Sequence, residues 1–83
     1  MNIRFHPHAI ERMKERGADE KEVIGTIQSG EKFPAKFGRT GFRRNFSFNK
    51  SWIGRAYKTK QIEALAIKKE ADWLVITVIT KYF

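Results

Sequence analysis

Cysteine is absent from this chain, which excludes a disulfide framework and any thiolate metal site and leaves it suited to a reducing cytosol. Proline occurs only 2 times and glycine 6 times in 83 residues, so neither a collagen-like repeat nor a flexible low-complexity linker is present. Long apolar runs are missing too. The longest, near Trp73 to Ile79, falls far short of the ~20 residues that span a bilayer. The stretch Met1 to His6 holds no apolar run of signal-peptide length. These absences lead to the expectation of a cytoplasmic protein with no membrane partner. No glycine-rich phosphate loop and no Ser/Asp partner set for hydrolase chemistry occurs either.

Acidic residues are the most unevenly scarce. The chain carries 17 Lys and Arg against 9 Asp and Glu, a net charge of +8, yet not one acid lies between residues 32 and 60. That stretch holds nine Lys or Arg and seven of the 11 aromatics: Phe33, Phe37, Phe42, Phe46, Phe48, Trp52 and Tyr57. Cations neutralise phosphates and aromatic faces accept bases, a combination that holds single-stranded nucleic acid. Its positive field equally suits an acidic protein partner. A half-buried sheet would turn the same rings inward and leave the cations in water. With 41% apolar residues the chain can build a core, and its length suits a single domain over residues 1–83.

Pro7 is well placed to start a helix that runs to about Arg16 and stops at Gly17. Its periodicity predicts core contacts from Ala9, Ile10 and Met13, with His8, Glu11, Arg12 and Glu15 largely opposite and Arg16 at the margin. Asp19 and Glu22 are spaced as a capping box for a second helix with Val23, Ile24 and Ile27 on its apolar stripe, ending near Gln28 with Gly30 as the stop. Beyond it the period shifts to two. Phe42, Arg44, Phe46 and Phe48 alternate, as do Ile62, Ala64, Ala66 and Lys68, then Leu74, Ile76, Val78, Thr80 and Tyr82. A turn is predicted at Asn49 to Ser51, a hairpin connection at Lys68 to Asp72, and an edge strand at Lys32 to Phe37, demoted by Pro34. The expected class is α+β, with two N-terminal helices packed on a curled antiparallel sheet of three to four strands.

The run His8-Ala9-x-x-Arg12-Met13-x-x-Arg16-Gly17, followed by the acidic capped helix with Val23 and the closing strand Ile76-Thr77-Val78-Ile79-Thr80-Lys81-Tyr82, resembles a family of small prokaryotic proteins of unknown function. That family looks like a branch of the RelE-type and barnase-like ribonucleases, in which helices precede a curled antiparallel sheet and RNA lies across it. The resemblance implies a toxin of a toxin-antitoxin pair that cuts RNA without a metal, with an acidic antitoxin-like protein as partner. One departure is Ala18, where relatives commonly carry a larger aliphatic residue.

Metal-free RNA cleavage needs a base for the ribose 2′-OH, cations for the charge developing on phosphorus, and an acid for the departing 5′ oxygen. His8, in the first helical turn, is the candidate base. Arg12 and Arg16 follow at four-residue steps on the helix surface, and Tyr82 is placed to orient phosphate or stack a base. The expected catalytic set is therefore His8, Arg12, Arg16 and Tyr82. Arg39, Arg43, Arg44, Arg55, Lys58, Lys60 and Thr80 form the expected RNA-binding set. No cofactor is expected, and no metal: His6, His8 and Glu11 lack a fourth ligand. Local bracing by His8 and pairing of Arg12 with Glu15 are the structural alternatives. A non-catalytic nucleic-acid-binding or protein-interaction module is the alternative function.

Overall fold

The computed structural model describes residues 2–83, and Met1, the first residue of the expected 1–83 domain, lies outside them. Pro7 opens α1 (Pro7–Arg16) where its missing N–H is no loss, and the Nδ1 of His6 caps the helix by accepting from the backbone N–H of His8 at 3.1 Å. Gly17 ends α1 at φ 74, a left-handed conformation that favours glycine. α2 (Glu20–Ser29) starts from the complete Asp19/Glu22 capping box.

One short strand, β1 (Ile3–Phe5), comes from the start of the chain, and four follow the change to period two: β2 (Glu31–Pro34), β3 (Thr40–Trp52), β4 (Arg55–Lys69) and β5 (Asp72–Tyr82). They form one sheet in the order β1-β5-β4-β3-β2. All neighbours are antiparallel except β1, which runs parallel to β5 with Ile3 beside Trp73. This corrects the expected class. The sheet is mixed and five-stranded rather than antiparallel with three to four strands, and it dominates the molecule, with 56% strand against 24% helix. The reason is length and separation: β1 has 3 residues, too few for a visible period, and its partner lies at the far end of the chain.

One face of the sheet meets the helices. Ala9 and Met13 from α1, Val23 and Ile27 from α2, and Phe42, Ile62, Ala64, Ala66, Trp73, Val75 and Val78 from the strands form the core. Phe42 meets Trp73 edge to face, with centroids 5.1 Å apart at 84°. Ile10, expected inside, is instead 38% exposed. The expected alternation from Leu74 to Tyr82 is also broken. Leu65 pairs with Thr77 but Ala66 pairs with Val75, so Ile76 is an extra residue, and the buried residues are Trp73, Val75 and Val78.

The second irregularity shapes the other end of the sheet. Ser47 pairs with Thr59 and Lys50 with Tyr57, so Phe48 and Asn49 together oppose Lys58, with Asn49 at φ 48. The turn expected at Asn49 to Ser51 is this bulge. β3 continues through it to Trp52, and the hairpin closes at Ile53-Gly54. At ~3.3 Å per residue a strand as long as β3 accounts for the 41 Å long axis of the molecule. Because Ile62 is fully buried at the centre of this core, Ile62→Ala is expected to lower stability by about 2 to 5 kcal/mol with little change in m, measured by urea unfolding.

Candidate functional site

Two groups of chemistry-bearing side chains lie at the two ends of α1. At its start, the Nε of Arg12 donates to the Nε2 of exposed His8 at 3.3 Å, and Arg12 pairs with Glu15 at 3.0 Å. Such helical pairs stabilise by only ~0.2 to 0.5 kcal/mol. The imidazole is therefore lightly held and open to solvent.

The end of α1 is built differently, because the last carbonyls of a helix need partners from elsewhere. The Tyr82 hydroxyl donates to the carbonyl of Arg16 at 2.7 Å. The ammonium of Lys60 donates to the carbonyl of Gly17, and also to Oε1 of Glu22 at 2.8 Å. A cation at a helix C-terminus also complements its partial negative charge. Glu22 is the capping residue of α2, so one buried lysine ties the end of α1 to the start of α2 from β4. Arg16 turns back to donate to the carbonyl of Val78 at 2.6 Å and remains half-buried.

Four rings close over this junction. Trp52 stacks on Tyr82 with centroids 5.1 Å apart at 18°, while Phe48 and Tyr57 lie 5.0 and 5.7 Å from the same ring. Gly17 is required beneath them. A Cβ there would stand 2.7 Å from Cη2 and Cζ3 of Trp52 and 2.8 Å from the Tyr82 hydroxyl. Burial, then the nearby Glu22 carboxylate, raises the pKa of Tyr82 above the ordinary value of 10.0.

Among the expected catalytic residues, Arg16 and Tyr82 meet, and Lys60 from the expected RNA-binding set joins them. His8 and Arg12 meet each other but not that pair, since eight residues of helix separate His8 from Arg16 by about 12 Å at ~1.5 Å per residue. Thr80 has a buried hydroxyl oxygen with no hydrogen-bond partner among the described residues. The expected RNA-binding cations are dispersed. Arg43 lies over Phe33 at 4.6 Å and pairs with Glu31 at 3.5 Å, while Arg44 lies over Phe46 at 4.9 Å and donates to the carbonyl of Gly25 at 3.3 Å. Arg39 sits in the β2–β3 loop, 6.0 Å from the Phe37 ring. Arg55 and Lys58 are exposed near the β3–β4 turn, with Arg55 5.9 Å from the ring of Tyr57. Trp52, Glu22 and Gly17 belong to the junction but not to the expected sets. Glu22 had a visible signal in its capping-box spacing, whereas the meeting of Trp52 with Tyr82 depends on the bulge.

Residues 5–80 match the family described as Domain of unknown function (DUF4258). The chain belongs to this DUF4258 family. No curated protein and no solved structure matches the chain. The motif residues His8, Arg12, Arg16 and Thr80 all fall inside the matched region of the DUF4258 domain, and Tyr82 lies just beyond it. No cluster of three or more His, Cys, Asp or Glu able to hold a metal ion occurs among the described residues.

Gly17→Ala is expected to cost at least ~1 kcal/mol, because it combines an unfavourable left-handed backbone with displacement of Trp52. Thermal unfolding checks the loss, and a red shift of Trp52 emission in a Trp73→Phe background checks the displacement. Tyr82 supplies a pH signature. A raised folded-state pKa favours the neutral phenol, so its contribution is present below pH 10.0 and is lost as pH rises through the raised value. Tyr82→Phe should be less stable near neutral pH by about 0.5 to 1.5 kcal/mol and should show a shallower loss as pH rises above 10.0, read by urea unfolding at each pH.

Proposed function

We propose that the protein binds single-stranded RNA along the β3–β4 arm and is a metal-independent endoribonuclease of toxin type. The observation that carries this reading is the arm itself. Exposed Lys50, Arg55 and Lys58 flank its tip, no acid lies between residues 32 and 60, and the rings of Trp52, Tyr57, Phe48 and Tyr82 are gathered beside them. Cations take phosphates and rings take bases. Arg16, half-buried at the end of α1 where Trp52 of the arm covers Gly17, is followed back along the helix by half-buried Arg12 and exposed His8, so a strand leaving the arm can follow the surface of α1.

In this reading bound RNA draws Arg12 away to its phosphate, and the Nε2 of His8, freed from the Arg12 hydrogen bond, takes the proton of a ribose 2′-OH. The resulting oxyanion attacks phosphorus, and Arg12 offsets the charge that develops there. The bond from phosphorus to the 5′ oxygen breaks, leaving a 2′,3′-cyclic phosphate, and the proton passes from His8 to the departing oxygen through water. Tyr82 acts as part of the aromatic platform, its hydroxyl being engaged with the Arg16 carbonyl. An acidic antitoxin-like protein would cover the same cations.

A non-catalytic RNA-binding module is the second reading. It is favoured by the engagement of Arg16, Lys60 and Tyr82 in holding α1, which leaves His8 and Arg12 alone for chemistry. Anisotropy of a labelled, unstructured RNA separates binding from its absence. The affinity should fall with salt at a log–log slope of about −2 to −3, and Lys58→Gln should reduce that slope by ~0.7. Gel analysis of the same RNA in chelator should show cleavage by wild type and a loss of at least ~100-fold in His8→Ala. Binding with intact RNA in both proteins would select the non-catalytic module.

A further inference from the structure

The β3–β4 turn contains a residue that suits neither its backbone nor its surroundings. Ile53 and Gly54 have φ values of 50 and 76, the type I′ signature of positive φ at both central positions, and Trp52 pairs directly with Arg55 across the two-residue loop. Asparagine or aspartate ordinarily takes the first of these positions. A β-branched residue there is a conformational outlier. Ile53 also gains nothing by packing, because it is 84% exposed. A strained and uncovered apolar side chain points to function rather than folding.

Its neighbours specify the partner. Lys50, Arg55 and Lys58 are all exposed around the turn, and no acid occurs in this part of the chain. The adjacent Trp52 is held parallel to Tyr82, which gives the tip a fixed aromatic base. One protruding aliphatic group beside three cations fits a polyanion whose charges alternate with flat apolar surfaces. A lipid surface needs a broader apolar face than a two-residue turn presents. Of the other exposed rings, Phe37 lies in the β2–β3 loop at the opposite end of β3, and Phe83 pairs with Thr59 further along β4, so neither adjoins Ile53.

We infer that Ile53 is a wedge that inserts between two neighbouring unpaired bases of bound RNA, while Lys50, Arg55 and Lys58 hold the flanking phosphates. Apolar wedges placed between base steps are an established physical device for unstacking nucleic acid. The inference rests on the RNA-binding reading above and deepens it, since it makes the tip select flexible single strands over continuous duplex.

Ile53→Asn tests it with two readouts of opposite sign. Asparagine suits the turn, so the variant is expected to melt at a higher temperature than wild type. Its affinity for a single-stranded RNA oligonucleotide should nevertheless fall about five- to tenfold, with an unchanged salt slope, because only an apolar contact is lost. The same RNA carrying 2-aminopurine should brighten on binding wild type, as the base is unstacked, and brighten less with Ile53→Asn. Equal affinity and equal brightening for the two proteins would overturn the wedge while leaving RNA binding intact. Failure of wild type to bind the RNA would overturn the underlying reading as well. Binding of phosphatidylserine vesicles that depends on Ile53, without RNA binding, would overturn both and assign the tip to a membrane surface.

Discussion

The ammonium group of Lys60 is the contact on which the arrangement of helices and sheet depends. It is buried to 6% residual exposure, and a charge so placed must be paired and hydrogen-bonded or it costs several kcal/mol. Its partners are the carbonyl of Gly17 at the end of α1 and the carboxylate of Glu22 at the start of α2. A single residue of β4 thereby sets where both helices lie. The hydroxyl of Tyr82 and the guanidinium of Arg16 extend the same bracket along β5, and Gly17 leaves the space in which Trp52 covers it.

This bracket divides the positive charge of the protein into two populations. Lys60 and Arg16 are committed to backbone carbonyls, and Arg43 has a carboxylate partner in Glu31. Lys50, Arg55 and Lys58 stand exposed at the end of a long hairpin, where their field faces solvent. Residue types that suggest catalysis thus serve the fold at one end of α1, while the cations of the arm and the exposed His8, with Arg12 held only by local helical contacts to His8 and Glu15, are left for a ligand. The proposed RNA path joins these groups, and the bracket gives it a floor of stacked rings.

Local signals were legible because they act over one helical turn. Pro7, Gly17, Asp19 and Glu22 placed the boundaries of α1 and the start of α2 through capping chemistry that involves neighbours within four residues. The sheet was less legible. Ile76 and Asn49 each add one residue to a strand, and one residue is enough to reverse every later side chain from one face to the other. Nothing at Ile76 announces the insertion, which is why the alternation groups Leu74 with Val78, whereas the left-handed Asn49 of the other bulge reads locally as a turn and draws the expected turn to Asn49 to Ser51 and away from Ile53-Gly54.

For the candidate site the same division holds. The four-residue spacing of His8 and Arg12 was sufficient to bring them together, since the helix alone makes them neighbours. The sequence by itself determined the two capped helices, the period-two strands and the acid-free basic stretch, all properties of contiguous residues. Tertiary structure alone decided the parallel pairing of β1 with β5, the burial of Lys60, and the meeting of Trp52, Tyr82 and Gly17. Each of those joins segments distant in the chain, so no local pattern records it, and the β3 bulge that precedes Trp52 is fixed by cross-strand pairing with β4.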